Sequence, residues 1–377
     1  MIMKELNEII KAYGKAILQN KQVALVTVVR VDGSSYRRPG ARMLVTDDGK
    51  ITGAISGGCL EGDALQKALF AMATGENKLI SYDSAGEDDI QYGLHLGCNG
   101  VVHILFEPIK KDDPQNPVEL LRLISNAGED AMLVTLFSMK KIQPGTSLLY
   151  LKNVIHSNLT KPLKDLLTEQ INIAYAKKQS SFLDVDIEQT TCTAFIEYIE
   201  RPVSLVIAGA GNDIQPLVEM AAMLGWLANV VDGRPHYATP ERFPNASKVL
   251  CSRSADILTK IKTDNQTVFL LMSHNYNYDL VFLSHIVQQE FGYIGLLGPA
   301  QKRDRMLSDL NDQGIQLNEE QLSKIHGPAG LDIGAENSTE IALSIIAEVK
   351  AFLAGRSGSP LKLKKEAIHN RAISPAS

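Results

Sequence analysis

Apolar residues along this chain switch between a helical spacing of about 3.6 residues and short unbroken runs, and the switches outline the elements. Ile2, Leu6, Ile9, Ile10, Tyr13 and Ile17 share one face and predict a helix over 3–20. Val23 to Val29 is a near-continuous β-branched run, as expected of a strand buried on both faces. Two shorter strands, Met43–Thr46 and Ile51–Ile55, are joined by the turn Asp47-Asp48-Gly49. Leu65, Ala68, Leu69 and Met72 then predict a helix closed by Gly75, followed by strands at Leu79–Tyr82 and Val101–Phe106 with an acidic loop, Asp83 to Asp89, between them. A polar, proline-bearing connector spans 110–117. Beyond it the pattern gives helices near 118–126 and 161–176 and strands at Ala131–Phe137, Phe182–Ile187 and Thr193–Ile199.

Glu200-Arg201-Pro202 is the predicted boundary between a first domain, 1–200, and a second, 201–355. Past it, strands and helices alternate: strand Val203–Ala208, a helix through Leu217, Met220, Ala221 and Leu224, strand Asn229–Asp232, strand Lys248–Cys251, helix Ser254–Lys262, strand Val268–Met272, helix Tyr278–Phe291 and strand Tyr293–Leu297. Helices follow at Lys302–Leu310, from Leu322 onward, and from the N-cap Asn337, with Glu340 as its box partner, to Gly355. Residues 356–377 are polar and aperiodic and are expected to be a disordered tail. The fold class is therefore α/β: a mixed N-terminal domain plus a Rossmann-like, doubly wound parallel sheet.

Composition narrows the function classes. The 377 residues carry a net charge of −5, which argues against general nucleic-acid binding. No run reaches the 18 or so apolar residues of a membrane span, and Lys4, Glu5, Glu8 and Lys11 break any signal-peptide core, so a cytoplasmic protein is expected. Four dispersed cysteines, Cys59, Cys98, Cys192 and Cys251, fit a reducing compartment better than a disulfide or structural-zinc scaffold. Cys192 and Cys251 sit in apolar strands and are expected to be inert.

Three stretches carry candidate chemistry. Ser56-Gly57-Gly58-Cys59-Leu60-Glu61 joins a strand to a helix start, where glycines admit a ligand to the backbone and the helix field favours a thiolate or anion. An ordinary tight turn with a buried cysteine is the alternative. Arg37, Arg38 and Arg42 share one Gly/Ser/Pro loop, suited to phosphate or carboxylate or else a solvated basic turn. Cys98 lies in a second glycine turn, Gly97-Cys98-Asn99-Gly100. In the second domain, Gly209-Ala210-Gly211 follows a strand and precedes a helix, and Asp232 ends the next strand about 20 residues on. That is the order of a dinucleotide-binding unit, with Ile214 where the third glycine would stand. Arg234 leaves NADP open beside NAD, and His274 falls at a strand's carboxyl end. No Ser-His-Asp set or paired-acid site is evident.

Together these residues resemble the xanthine dehydrogenase accessory (XdhC/CoxI) family. The likeness rests on Gly33-Ser34-Ser35, Arg37-Arg38-Pro39-Gly40-Ala41-Arg42-Met43, Ser56–Glu61, Gly97–Gly100, Gly209–Gly211, Leu224-Gly225-Trp226, Val231-Asp232, Arg234-Pro235, Ser273-His274-Asn275 and Gly295–Pro299. Its most specific stretch is His326-Gly327-Pro328-Ala329-Gly330-Leu331-Asp332-Ile333-Gly334-Ala335. Tyr36, Asn99 and Asn212 depart from the usual pattern. The resemblance implies a maturation chaperone that binds molybdenum cofactor, assists its sulfuration by a cysteine desulfurase, and delivers it to an apo molybdenum hydroxylase. A homodimer is also expected. On this reading Arg37, Arg38 and Arg42 handle the anion, with Ser56, Gly57, Gly58 and Glu61 beside them, and Cys59 and Cys98 lie near the metal. Gly209, Gly211, Asp232, Arg234 and His274 form an NAD(P) side. An NAD(P)-dependent oxidoreductase with His274 as acid, and a nucleotide-sensing regulatory protein, are the alternatives.

Overall fold

The structure, a computed structural model, describes residues 2–33, 35–83, 100–140, 143–187 and 189–364. It forms two compact units, one running to Arg201 and one beginning at Pro202.

The first unit opens with α1 (Ile2–Leu18), β1 (Val23–Gly33), β2 (Arg42–Thr46), β3 (Ile51–Gly53), α2 (Glu61–Thr74), β4 (Lys78–Asp83) and β5 (Gly100–Pro108). The five strands make an antiparallel sheet in the order β3-β2-β1-β5-β4. β1 runs four residues past its apolar stretch because Arg30–Gly33 pair with His103–Gly100 of β5, so backbone pairing rather than side-chain pattern sets its end. α2 lays Ala64, Ala68, Ala71 and Met72 on this sheet and ends at Gly75, whose φ of 68° is the left-handed cap that glycine supplies at least cost.

Next come α3 (Pro117–Ala127), β6 (Ala131–Phe137), β7 (Gly145–Leu151), β8 (Val154–Ser157), α4 (Lys161–Lys177), β9 (Ser181–Ile187) and β10 (Thr190–Ile199). Their strands form a second antiparallel sheet, β8-β7-β6-β10-β9. β7 and β8 correct the sequence reading, which placed no element between 138 and 160. They are a hairpin over Lys152-Asn153, both with left-handed φ (51° and 63°). The turn lacks the glycine that usually signals such a loop, so the pattern gave no warning.

α1 and α3 contribute Leu6, Ile9, Leu121 and Ile124 to a core that also takes Leu25 and Leu44 from the first sheet and Leu133 and Leu149 from the second. Val29, Leu105, Phe137 and Phe195 form a smaller apolar cluster, again with residues from both sheets. Two buried polar links cross from sheet to sheet within this layer. Arg42 of β2 holds Glu197 of β10 through both terminal nitrogens, with both side chains nearly inaccessible (2% and 4% exposed). Glu107 of β5 accepts from the Thr146 amide (2.7 Å) and hydroxyl (3.0 Å), and burial pushes its carboxyl above the ordinary range.

The second unit contains β11 (Ser204–Ala208), a 3-10 turn at Asn212–Ile214, α5 (Gln215–Met223), β12 (Leu227–Asp232), β13 (Lys248–Cys251), β14 (Thr267–Leu271), α6 (Tyr276–Ile286), β15 (Tyr293–Leu296), α7 (Ala300–Asp312), α8 (Glu319–Ser323), β16 (Ile325–His326) and α9 (Ser338–Leu353). All six strands are parallel, in the order β13-β12-β11-β14-β15-β16. This is the doubly wound arrangement expected, with its reversal of direction between β11 and β14. Cores lie on both faces.

Three details differ from expectation. The helix expected at Ser254–Lys262 is a 3-10 segment, Ser254–Thr259. The helix from Leu322 stops at Ser323, and Ile325–His326 adds an edge strand beside β15. The expected structureless tail contains a 3-10 turn at Leu361–Leu363, and 365–377 lie outside the described residues. Among the described residues no helix is long and apolar enough to cross a membrane.

Removing one partner of a buried ion pair strands the other charge. Glu197→Ala should therefore cost about 3–5 kcal/mol, and the double change Arg42→Met with Glu197→Leu should recover most of it. Denaturant unfolding checks this; a Glu197→Ala variant within about 0.5 kcal/mol of the parent would show that the pair does not hold the sheets.

Candidate functional site

In the first unit the Ser56 turn is built from its own polar atoms. The Ser56 hydroxyl accepts from the amides of Gly58 and Leu60 (both 3.1 Å) and donates to Glu61. The other Glu61 oxygen accepts from the amides of Ile55 (3.2 Å) and Ser56 (2.8 Å). Burial alone would raise the Glu61 carboxyl, but these bonds outweigh it and hold the group below the usual range. Ser56 and Glu61 are thus spent inside the turn, while Gly57, Gly58 and Cys59 are exposed on its crest. The Cys59 sulfur lies 3.7 Å from the Ser56 oxygen. The buried-cysteine alternative is excluded for Cys59 and describes Cys192, which is 1% exposed. Cys251, expected to be inert in its strand, is exposed because it ends β13 at the sheet's edge.

The three arginines separate into three environments. Arg42 is a correction to the anion-binding expectation, because Glu197 and the Gly40 carbonyl (2.9 Å) take up its terminal nitrogens in the core. Gly40 belongs to the same arrangement, since a Cβ there would lie 2.3 Å from a Glu197 oxygen. Arg37 is tied to Glu5 of α1 at 2.9 Å and is half-buried. Arg38 is exposed. Tyr36, 73% exposed, lies over Gly57: a Cβ on that glycine would sit 3.6 Å from the ring. The structure therefore brings the arginine loop against the Cys59 turn, presenting Arg38, Tyr36 and Cys59 and burying Arg42. Cys98, the second expected thiol, lies outside the described residues, as does Ser34. Among the described residues no group of three or more His, Cys, Asp or Glu side chains is placed to hold a metal ion.

In the second unit the expected residues meet at the carboxyl ends of β11, β12 and β14. Gly209 has φ 126°, and a Cβ there would lie 2.4 Å from the Met272 carbonyl, so close strand packing accounts for this glycine. At Gly211 a Cβ would meet an Asp213 oxygen at 2.1 Å. Asp232 is buried (3% exposed) and already accepts four hydrogen bonds: the Ala210 amide (2.8 Å), the Arg234 amide (2.9 Å), and the Arg234 Nε (2.9 Å) and Nη2 (2.7 Å). Burial would raise its carboxyl, but these donors depress it. His274, at φ 56°, sets its Nε2 3.0 Å from Asp213 Oδ2 and is otherwise open to solvent. Beneath it, Asp279, fully buried, takes the Ser273 hydroxyl (2.5 Å) and Lys302 Nζ (2.9 Å).

The sequence reading missed Arg242. Its Nη1 donates to the carbonyls of Ala210 (2.6 Å) and Tyr237 (2.7 Å), and its Nη2 donates to Asn212 Oδ1 (2.7 Å). It stands between β12 and β13 in a stretch without periodicity, so only its place against the glycine turn marks it.

Two family models match the chain: the XdhC Rossmann domain over residues 205–349, and the XdhC and CoxI family over residues 16–83. A Bacillus subtilis (strain 168) protein described as a probable xanthine dehydrogenase subunit is 32% identical over 336 residues, covering 89% of this chain and 94% of that protein. The molybdenum cofactor insertion chaperone PaoD of Escherichia coli (strain K12) is 25% identical over 338 residues, 89% of this chain and 85% of PaoD. A crystal structure described as a xanthine dehydrogenase from Bacillus halodurans matches with a TM-score of 0.73 and 27% identity, covering 94% of this chain and 98% of that one.

The depressed Glu61 carboxyl gives a testable sign. It contributes stability above the ordinary glutamate value of about 4.3, and that contribution is lost as pH falls through the lower folded value. Glu61→Gln should therefore be less stable than the parent at neutral pH, with the gap closing in acid; a gap independent of pH would refute the turn-closing role of the charge.

Proposed function

Because the chain belongs to the XdhC and CoxI family, we propose that it is an insertion chaperone which holds molybdenum cofactor as cargo and hands it to a xanthine dehydrogenase-type molybdenum hydroxylase. The observation that carries this reading is that two loops in contact at Tyr36 and Gly57, with buried roots, expose a thiol, Cys59, on one and a guanidinium, Arg38, on the other. A molybdenum centre is thiophilic and the cofactor carries an anionic phosphate, so a soft ligand and a cation on neighbouring loops suit the two ends of that cargo. Rooted loops keep the ordering cost of binding low. PaoD, a similar protein over most of its length, is named as a molybdenum cofactor insertion chaperone.

Cys98 as a second thiol, Arg37 as a supporting cation released from Glu5, sulfuration by a cysteine desulfurase, a homodimeric assembly and a cytoplasmic location belong to the same proposal. The second unit carries the fold of a dinucleotide-binding domain, but a ribose hydroxyl could reach Asp232 only after displacing Arg234 or the Ala210 amide. We therefore assign hydride transfer no part in the proposed function.

Cofactor binding by pterin fluorescence and activation of an apo hydroxylase test the reading. Arg38→Ala should weaken cofactor binding about tenfold or more, the worth of one charge-assisted hydrogen bond. Cys59→Ser should lower transfer while the fold persists, and Cys192→Ser should do neither. Undiminished transfer by a variant lacking Arg38, Cys59 and Cys98 together would sink the assignment.

A further inference from the structure

The carboxyl edge of the second unit carries a cation whose hydrogen-bonding capacity is only partly used. The guanidinium of Arg242 lies against the rings of Tyr237 (5.1 Å) and Phe243 (5.2 Å), and its terminal nitrogens are fixed by three neutral oxygens, those of Ala210, Tyr237 and Asn212. Among the described residues no carboxylate pairs with it and no acceptor takes its Nε–H. The five N–H groups of an arginine, less the three bonds made, leave the Nε–H and one Nη2–H as donors.

Its neighbours are in a different state. Arg234, which also lies over the Tyr237 ring (4.0 Å), has spent its Nε/Nη2 fork on Asp232. Asp213, next to Asn212, is engaged by His274. A dinucleotide held in the usual way would place its pyrophosphate over the glycine turn and its ribose diol on Asp232. Here the Asp213 carboxylate already lies against Gly211, and Asp232 already accepts four hydrogen bonds.

We infer that this edge is a binding site for a single oxyanion group, the phosphate or carboxylate of a small molecule, received by Arg242 beside the Gly209-Ala210-Gly211 turn. The guanidinium is held in place before the ligand arrives, so little side-chain entropy is lost on binding. Arg234 is the further cation over the Tyr237 ring, already paired with Asp232, and Asp213, which His274 engages, opposes the ligand. Every residue named for this site belongs to the second unit.

Isothermal titration of the full chain with inorganic phosphate, with succinate and with adenosine tests the inference. At least one of the two anions should bind at millimolar concentration or better, and adenosine should not. Arg242→Gln should weaken that binding tenfold or more, and Arg242→Lys should restore little of it, because an ammonium lacks the fork. Response to phosphate alone assigns a phosphate ester, and response to succinate alone assigns a carboxylate. Phenylglyoxal labelling of the unmodified protein gives an arm that does not depend on a variant's folding: the bound anion should protect the peptide containing Arg242. Absence of binding by both anions, equal affinity in Arg242→Gln, or labelling of Arg242 unaffected by the anion would each overturn the inference.

Discussion

The Arg42–Glu197 pair is the interaction on which the first unit depends. It crosses from β2 of one antiparallel sheet to β10 of the other, inside a layer filled mostly by aliphatic and aromatic side chains. A charge in that layer is tolerable only with its partner in place, so the two sheets have one register in which both charges are satisfied. The loop that leads into β2 inherits this constraint. Gly40 leaves room for Glu197 and donates its amide to the Val28 carbonyl, and Arg37 is tethered to α1. What remains exposed, Tyr36 and Arg38, is therefore presented from a fixed root. The Ser56–Glu61 turn follows the same principle on a smaller scale: buried polar atoms hold the crest that carries Cys59.

The second unit obeys a different constraint, that of a parallel sheet covered on both faces. Its strand order reverses between β11 and β14, and such sheets gather loops at that reversal. Gly209 allows β11 and β14 to come together, and this packing brings His274 to Asp213 and sets Asp232 under the turn. Two of the three acids at this edge are neutralised by neighbours within the unit, Asp232 by Arg234 and Asp279 by Lys302. The edge thus differs chemically from the dinucleotide pattern its topology suggests, because topology places the residues and local pairing decides what is left for a ligand.

Local chemistry was sufficient for much of this protein. The period of the apolar positions predicted α1, β1, α2, β6, β10 and the alternation of the second unit, because each of these elements buries a long, regular face. It failed where an element is short or is made by its partner: the β7–β8 hairpin, the edge strand β16, the 3-10 segment at Ser254–Thr259, and the extension of β1 along β5. The motif residues were legible as a set, and the family they resemble is the one the comparisons support. Their individual environments were not.

That division has a physical basis. A residue's type and spacing determine which face it occupies and which backbone angles it favours, so the sequence by itself determined the α/β class, the glycine turns, the helix caps at Gly75 and Asn337, and the presence of cationic and thiol groups in loops. Whether a given charge meets solvent or a partner depends on residues far away in the chain. Glu197 lies 155 positions from Arg42, and Arg242 lies 32 positions from Ala210. Only the tertiary structure decided that Arg42 belongs to the core, that Asp232 is already bonded, and that Arg242 has donors to spare, because desolvation and pairing are properties of the packed neighbourhood and not of the local chain.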